Sequence, residues 1–275
     1  MTVGEVLARA TEYLAGKGVE SPRLDAEHLL GMATGLTRVE LYMHHDRALQ
    51  EDERGAFREL VRRRGEREPL AYILGEWGFR RLNLKVDRRA LVPRPETEVV
   101  VERCLELLDG APEPDILDVG TGTGAIALAI ADEHPGARVT AIDVSPDALA
   151  LAHENAERTG IEVAFGERDL LGGLGTAEYD LVVSNPPYVT REELETLEPE
   201  VRDWEPRIAI VGDEHTRLVA EHARDALRPG GHLVLEVAVM RAENVGVLLQ
   251  SLGYEDVSLT LDLTGRDRVA EGRRP

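Results

Sequence analysis

The sequence has one cysteine and lacks any long uninterrupted apolar run. With Cys104 as the single cysteine among 275 residues, an internal disulfide is excluded. Cys104 lies among Val101, Leu105 and Leu108 at helical spacing, which predicts a buried apolar role rather than a nucleophile. No run has transmembrane length, and the first residues do not resemble a secretory signal. We therefore expect a soluble, cytoplasmic protein with no membrane contact.

Lysine is also nearly absent, and basic residues are outnumbered in one part of the chain only. Residues 1–92 contain 16 Lys and Arg against 15 Asp and Glu, a net charge of +1. Residues 93–275 contain 16 against 37, a net charge of −21. Because an acidic body repels the phosphate backbone, we expect no stable binding of nucleic acid.

The N-terminal part has the periodicity of a small helical bundle. Apolar residues recur every three or four positions over 3–14, and the pattern resumes after Pro22, around 38–43 and over 51–67. Five arginines cluster late in the last of these helices: Arg58, Arg62, Arg63, Arg64 and Arg67. Two interpretations stay open for them, a solvated charged face or a patch that meets an acidic partner or RNA.

A short β pattern and a proline-rich segment follow the predicted helices. Residues 77–79 and 82–86 alternate apolar and polar side chains, which predicts a β-hairpin. The segment 91–98 contains Pro93 and Pro95 and leads into a helix, and we place the join between two domains there. The prolines act either as a stiff hinge that walls the cleft between the domains or as a first-turn helix start.

A glycine-rich turn follows the first predicted strand of the C-terminal part. Residues 115–119 are an apolar run, and a helix is predicted after the turn, which consists of Gly120, Thr121, Gly122, Thr123 and Gly124. Glycines permit the tight turn and let a ligand approach main-chain N–H groups at the helix N-terminus. Asp143 ends the next strand, 23 positions after Gly120, near the roughly 20-residue offset at which a carboxylate reaches ribose hydroxyls.

The glycine spacing favours S-adenosylmethionine over a nicotinamide cofactor. G-x-G-x-G leaves fewer residues to surround a pyrophosphate than G-x-G-x-x-G does. Asp169 follows a strand predicted over 161–165 and would lie at the carboxyl edge of the sheet, where ligands bind in such folds. Two roles stay open for this carboxylate: accepting a hydrogen bond from an adenine amino group, or capping the turn at Leu170–Gly172.

A later strand, predicted over 179–184, ends in a rigid polar tip, Asn185-Pro186-Pro187-Tyr188. Proline fixes φ at about −65° and restricts the residue before it, so Asn185 and Pro186 are held extended. The Asn185 carboxamide and the Pro186 carbonyl are then available to accept both hydrogens of a substrate –NH2 group, with the Tyr188 ring beside them. An amide –NH2 is a poor nucleophile because its lone pair is delocalised, and two acceptors favour the positive charge that builds during attack. Taken alone, the tip is more typical of a turn, and it is the glycine-rich turn upstream that favours a binding site.

The remaining pattern alternates helices with strands and predicts an α/β fold with a sheet of about seven strands. A long acidic segment over 190–213 separates the tip from the next helix. Its length is unusual for a connection, and we interpret it as a lid that faces the substrate.

Four segments together resemble the HemK/PrmC family: 120–125, 185–188, 91–98 and 265–269. That family comprises S-adenosylmethionine-dependent methyltransferases that modify the glutamine of the Gly-Gly-Gln motif in class 1 peptide chain release factors. The resemblance covers nearly the whole chain. It implies a helical substrate-recognition domain over residues 1–75, a linking β-hairpin over 76–92 and a Rossmann-like class I methyltransferase domain over 93–275.

The resemblance also implies the cofactor site. Gly120 to Gly124 would hold the methionine end of S-adenosylmethionine, Asp143 its ribose, and Asp169 with Leu170 its adenine, while Asn185 lies where cofactor and substrate meet.

For the substrate, the resemblance implies that Asn185 and the Pro186 carbonyl hold the glutamine amide, with Pro187 and Tyr188 packed beside it. The methyl group would pass directly from sulfur to nitrogen and leave S-adenosylhomocysteine, without a metal or a covalent intermediate. Two other functions stay open. One is the same chemistry on another target, a ribosomal-protein glutamine or a nucleic-acid base amine, and the other is a non-catalytic cofactor-binding translation module.

Overall fold

The computed structural model describes residues 1–176, 179–212 and 214–275. Its α-helices, in chain order, are α1 (Val3–Gly16), α2 (Pro22–Thr34), α3 (Arg38–Met43), α4 (Glu51–Gly65), α5 (Leu70–Leu74), α6 (Thr97–Leu107), α7 (Ala125–Glu133), α8 (Pro146–Thr159), α9 (Arg191–Leu194), α10 (Pro199–Arg202), α11 (His215–Ala226) and α12 (Ala242–Ser251). Its β-strands are β1 (Glu76–Phe79), β2 (Leu82–Lys85), β3 (Asp115–Val119), β4 (Arg138–Asp143), β5 (Ala164–Glu167), β6 (Tyr179–Ser184), β7 (Leu227–Glu236), β8 (Glu255–Leu261) and β9 (Asp267–Arg273). Within the described residues, no helix combines the length and apolar character needed to cross a membrane.

The chain forms two compact units, each built from two separate stretches of the sequence. The helical unit contains Met1–Gly75 together with Glu198–Trp204, and the α/β unit contains Glu76–Leu197 and Glu205–Pro275. The boundary therefore precedes the hairpin, whereas the sequence placed the join at 91–98. The acidic segment predicted as a lid contributes residues to both units, and its last residue, Asp213, lies outside the described residues.

The helical unit forms because the apolar stripes of α1, α2 and α4 share one core. Thr2 starts α1 with a capping box, in which its hydroxyl accepts from the N–H of Glu5 and the Glu5 carboxylate accepts from the N–H of Thr2. The buried side chains of this core include Val3, Val6, Leu14, Leu29, Leu30, Phe57 and Val61. The predicted helices are confirmed, with α4 ending at Gly65 shortly before Arg67 adopts a φ of 65°.

Two of the clustered arginines, Arg64 near the end of α4 and Arg67 just after it, are ion-pair partners inside the helical unit. The Arg64 side chain is only 8% exposed and lies 2.6 Å from Asp25 Oδ2 and 2.7 Å from Glu200 Oε1. Arg67 pairs with both Glu200 and Glu198. The interpretation as a patch for an acidic partner or RNA is therefore wrong for these two side chains, because carboxylates of the same unit already neutralise them.

The β1–β2 hairpin belongs to the core of the α/β unit. Its strands pair antiparallel as predicted, and Phe79 and Leu84 are buried in the same cluster as Val100 of α6 and Ile130 of α7. The fully buried carboxamide of Asn155 on α8 also holds β2, accepting from the N–H of Lys85 and donating to its carbonyl. The hairpin is thus fixed by packing and is not a free linker.

A seven-stranded sheet dominates this unit, in the order β5-β4-β3-β6-β7-β9-β8, which confirms the predicted α/β fold. The first five strands are parallel, while β9 runs antiparallel between β7 and β8. Neighbouring side chains of β3 enter opposite cores, Ile116 on the side of α6 and α7 and Leu117 on the side of α11 and α12. Cys104 is fully buried, as predicted, and burial raises the pKa of its thiol.

One strand lies three residues later than the sequence suggested. The pattern predicted a strand over 161–165, but β5 begins at Ala164, which pairs with Thr140. The reason is the end of α8, where Gly160 adopts a left-handed φ of 70° and the N–H of Ile161 still donates to the carbonyl of Ala156. Ile161 therefore serves the helix end instead of the sheet.

Candidate active site

A cavity of about 490 Å³ opens at the carboxyl ends of β3, β4 and β6. In the sheet, β3 lies between β4 and β6, so the chain moves outward from β3 to β5 and then crosses to the other side. This reversal is the switch point at which ligands bind in open α/β sheets. Of the predicted site residues, those that line the cavity are Gly120, Thr121, Gly122, Thr123, Asp143, Asp169, Leu170, Asn185, Pro186 and Pro187.

The glycine turn is fixed by main-chain hydrogen bonds to the neighbouring strand. The N–H groups of Gly120 and Thr121 both donate to the carbonyl of Ile142, at 2.8 and 3.0 Å. Gly120 has a φ of 75°, and a Cβ there would meet no heavy atom within 4 Å, so space beside the turn is open for a ligand. Gly124 does not line the cavity; a Cβ on it would come within 3.2 Å of Leu128 Cδ1.

Two carboxylates predicted to contact the cofactor each support the main chain as well. Asp143 accepts from the N–H of Gly122 and from the N–H of Ser145, both at 2.9 Å, and so links the glycine turn to the start of α8. Asp169 accepts from the N–H of Leu171 at 2.9 Å and caps the 3₁₀ turn at Leu170–Gly172. The capping interpretation of Asp169 is confirmed, and this side chain lines the cavity at the same time.

The Asn-Pro-Pro tip follows β6 directly and borders the cavity. β6 ends at Ser184, whose hydroxyl donates to the carbonyl of Val119 at 2.7 Å and ties β6 to the end of β3. Tyr188 does not line the cavity, and burial raises the pKa of its phenol to about 12. The Arg241 guanidinium donates to the Tyr188 carbonyl at 2.6 Å and to Glu193, which fixes the chain beyond the tip.

A pair of buried polar side chains, Thr97 and Glu236, supports the tip, and no pattern in the sequence predicted that they meet. The carboxamide Nδ2 of Asn185 lies 3.4 Å from Thr97 Oγ1, and the Thr97 hydroxyl donates to Glu236 Oε2 at 2.6 Å. Thr97 is the first residue of α6 and Glu236 the last of β7, 139 positions apart. Only the fold brings them together.

The proline-rich segment 91–98 forms one wall of the cavity. Pro93, Arg94 and Thr97 line it, and the Arg94 guanidinium contacts both oxygens of Glu205 at 2.7 and 2.8 Å. The Glu205 side chain is 1% exposed, and burial raises the pKa of its carboxyl despite the arginine. The segment is therefore held rigidly on both sides of Arg94, by the flanking prolines and by this ion pair.

Asp118 is a second group that sequence reasoning missed. It lies in β3, fully buried, where Thr121 donates to its Oδ2 at 2.6 Å. Its Oδ1 has no hydrogen-bond partner among the described residues, although the N–H of Ala127 in the first turn of α7 faces the carboxylate. Burial, together with the charge of Asp143, raises the pKa of Asp118 to about 7. The available signal was a carboxylate inside an otherwise apolar strand immediately before the glycine turn.

Comparisons with known proteins agree over the full length. Residues 5–75 match the family described as the PrmC N-terminal domain, and residues 99–199 match the methyltransferase small domain. The release factor glutamine methyltransferase of Geobacter sulfurreducens is 44% identical over 99% of this chain and 96% of its own. That of Chlorobaculum tepidum is 43% identical over 97% and 95%. A methyltransferase from Pyrococcus furiosus shares the fold, with a TM-score of 0.50 and 20% identity over 70% of this chain and 89% of its own.

The family model and the curated relatives define the class first: the chain is a methyltransferase, in keeping with the S-adenosylmethionine site that the glycine spacing predicted. The full-length identities are more specific. The chain belongs to the release factor glutamine methyltransferase family, which confirms the resemblance stated from the four sequence segments.

The residues of the cavity fit S-adenosylmethionine. The cofactor carries a positively charged sulfur and a nucleoside. Asp143 and Asp169 line the cavity, so their carboxylates offer negative charge to the sulfur and acceptor oxygens to the hydroxyl and amino groups of the nucleoside. The open space beside Gly120 leaves room for a ligand next to the main chain of the glycine turn.

Proposed function

We propose that this protein transfers a methyl group from S-adenosylmethionine to the side-chain amide nitrogen of the glutamine in the Gly-Gly-Gln motif of class 1 peptide chain release factors. One observation carries the proposal: the Asn185-Pro186 tip borders the same cavity as the glycine turn. The activity of the curated relatives, named as release factor glutamine methyltransferases, supports the same target.

In this proposal the residues of the tip act by holding and orienting the substrate nitrogen. The Asn185 Oδ1 and the Pro186 carbonyl each accept one N–H of the glutamine amide, which aims the nitrogen lone pair into the cavity. Bound S-adenosylmethionine supplies an electrophilic methyl group. The two acceptors would stabilise the positive charge that appears on nitrogen as the N–C bond forms and the sulfur–methyl bond breaks. The nitrogen then loses one proton to water, which leaves the N-methyl amide and S-adenosylhomocysteine. The low polarity of the surrounding walls strengthens these interactions.

In the cofactor part of the site, Gly120 to Thr123 would line the methionine end, Asp143 would accept from the ribose hydroxyls, and Asp169 with Leu170 would border the adenine. Gly124 contributes by allowing the close approach of α7 to α8. Tyr188 acts from behind the tip, since it lies outside the cavity lining.

The helical unit is the part that recognises the release factor in this proposal. The family match over residues 5–75 supports a shared role for this unit. Two of its clustered arginines, Arg64 and Arg67, are already paired with carboxylates of the same unit, which disfavours nucleic acid as its partner. An enzyme acting on release factors works where translation occurs, so we place it in the cytoplasm. The lid role of the acidic segment stays a prediction.

Labelled methyl transfer tests the target. Purified enzyme and labelled S-adenosylmethionine are incubated with release factors, with ribosomal proteins or with DNA, each in a separate reaction. We expect label on the release factor only, and none on a variant whose motif reads Gly-Gly-Ala. Label on that variant would contradict the assigned residue, and label on a ribosomal protein or on DNA instead would contradict the assigned target.

A further inference from the structure

Three polar side chains from different elements form a buried chain that ends at the catalytic tip. Glu236 at the end of β7 is 2% exposed and Thr97 at the start of α6 is 5% exposed. Their oxygens lie 2.6 Å apart, and Thr97 Oγ1 lies 3.4 Å from Asn185 Nδ2. The order is therefore carboxylate, hydroxyl, carboxamide, with the far end of the carboxamide at the cavity.

We infer that Thr97 and Glu236 are positioning residues that fix which end of the Asn185 carboxamide faces the substrate. This inference rests on the proposed function, in which Asn185 Oδ1 accepts a hydrogen bond from the glutamine amide. Glu236 does not line the cavity, and the Thr97 hydroxyl is already bonded to Glu236 and Asn185, so both act through Asn185.

The donors and acceptors in this chain determine how the carboxamide is oriented. The Thr97 hydroxyl donates to Glu236 Oε2, so its single hydrogen points away from Asn185. The Thr97 oxygen is then left with lone pairs only and accepts from the –NH2 end of Asn185. Oδ1 is consequently turned toward the cavity. A flipped carboxamide would set its –NH2 against the substrate –NH2, donor facing donor, and leave Oδ1 against the lone pairs of Thr97.

Within the part of the chain that the structure describes, the Thr97 hydroxyl bonds to Glu236 and Asn185 and to no other side chain. It does not cap α6 either, where the residue before it, Glu96, also makes no side-chain cap. Burying a carboxylate and a hydroxyl costs free energy unless both are paired. The hydrogen bond between the two side chains offsets that cost and continues the chain of hydrogen bonds toward the tip.

The direction of the chain also matters electrostatically. Substrate N–H, Asn185 N–H and Thr97 O–H all point the same way and end on the Glu236 carboxylate. Hydrogen bonds aligned in this manner polarise one another, so positive charge developing on the substrate nitrogen strengthens every member. Glu236 would thus help to stabilise the transition state through the two intervening side chains, although it is not in contact with the reacting atoms.

The test compares Thr97→Val, which removes the hydroxyl at nearly constant shape, with Thr97→Ser, which keeps it. For Thr97→Val we expect kcat to fall about 10- to 100-fold, as for other supporting-shell changes, with KM for the release factor within about threefold and cofactor affinity by calorimetry unchanged. Thr97→Ser retains kcat within about threefold. A purely structural role would move the melting temperature and KM together and would not separate the two variants in this way.

A second readout needs no turnover and separates this inference from the proposed function. The readout is the NMR spectrum of nitrogen-15-labelled protein, in which the side-chain –NH2 signals of Asn185 are assigned by their loss in Asn185→Ala. The hydrogen bond to Thr97 should change the chemical shift of these signals. We expect the shift to persist in Thr97→Ser and to disappear in Thr97→Val. It should also disappear in Glu236→Gln, because the new side-chain amide can donate to Thr97 and reverse the direction of the hydrogen bonds. Unchanged signals in Thr97→Val, or equal kcat in Val and Ser variants, would overturn the inference. Failure of the wild type to methylate any release factor would instead overturn the proposed function.

Discussion

At the scale of the residue, the proposed function assigns the selectivity for an amide nitrogen to single side chains in the cavity. The prolines after Asn185 leave the tip few alternative conformations, so its acceptors are set before the substrate arrives. Preorganised acceptors contribute more to the transition state than to cofactor binding, because charge on the nitrogen appears only during transfer.

The first prediction concerns Asn185. Replacement by alanine removes one of the two acceptors, and we expect turnover to fall by at least about 100-fold. Removal of one donor from an oxyanion hole, which likewise takes away one preorganised hydrogen bond to the transition state, causes a loss of about that size. Cofactor affinity should stay within a few-fold, because the glycine turn and Asp143 are untouched. Calorimetry with S-adenosylmethionine beside an activity assay provides the check. A variant that retains activity would remove Asn185 from the chemistry, and one that loses cofactor binding would make it a cofactor ligand.

A second residue-level prediction concerns Asp118. Folding raises the pKa of this carboxyl from 3.8 to about 7, so the fold favours the protonated form. Its contribution to stability is present below pH 4 and is lost as the pH rises through about 7, a change on the order of 4 kcal/mol. Asp118→Asn should therefore melt at a higher temperature than the wild type at pH 8, with the difference shrinking toward pH 5. Parallel melting profiles of the ligand-free proteins would show that Asp118 is ionised throughout.

At the scale of elements, the β1–β2 hairpin is part of the α/β core rather than a spacer. Phe79 is 1% exposed and packs with α6 and α7 residues. The hairpin also reaches the glycine turn through Asn155, whose carboxamide donates to the carbonyls of Lys85 and Thr123. A change that destabilises the hairpin should therefore also disturb the glycine turn.

We expect Phe79→Ala to destabilise the protein by about 3–5 kcal/mol, since it leaves a cavity in a close-packed core. Trp77→Ala on the same strand is the matched control, because the Trp77 side chain is only partly buried and its loss should cost less. Chemical denaturation of both variants measures the difference. Equal costs for the two changes would mean that the hairpin is attached at its surface only.

Local patterns in the sequence predicted most elements and the residues of the glycine turn and the tip, because those features depend on neighbours along the chain. Asp143 and Asn185 belong to this group. The start of β5 was predicted three residues too early, since the end of α8 recruits Ile161 through a hydrogen bond that apolar periodicity does not reveal. The Thr97–Glu236 pair was not predictable, because two residues 139 positions apart meet only through the order of strands in the sheet.

On the scale of the whole molecule, the chain returns to its first unit after the catalytic tip. Residues Glu198–Trp204 follow the tip by about ten positions and belong to the helical unit, where Glu200 binds Arg64 and Arg67. The sequence did not suggest this return, because the acidic segment and the arginine cluster lie more than a hundred positions apart. The pairing explains why both clusters exist in one chain.

Arg64→Met should destabilise the helical unit by about 3–5 kcal/mol, because the buried carboxylate of Asp25 would lose its cation and Glu200 would keep only Arg67. Arg62→Met is the matched control: its side chain is 52% exposed and its pairs with Glu59 and Glu66 are worth at most about 1 kcal/mol. Thermal unfolding at low and high salt distinguishes the two. If both variants melted alike, the Arg64 network would be no more important than a surface ion pair.

The most direct test of the account is a tandem mass spectrum of a class 1 release factor before and after incubation with this enzyme and S-adenosylmethionine. The account predicts one added methyl group, located by the fragment ions on the side chain of the glutamine in Gly-Gly-Gln, and no addition when the enzyme carries Asn185→Ala. A methyl group on any other residue, or an unmodified release factor with active wild-type enzyme, would contradict it.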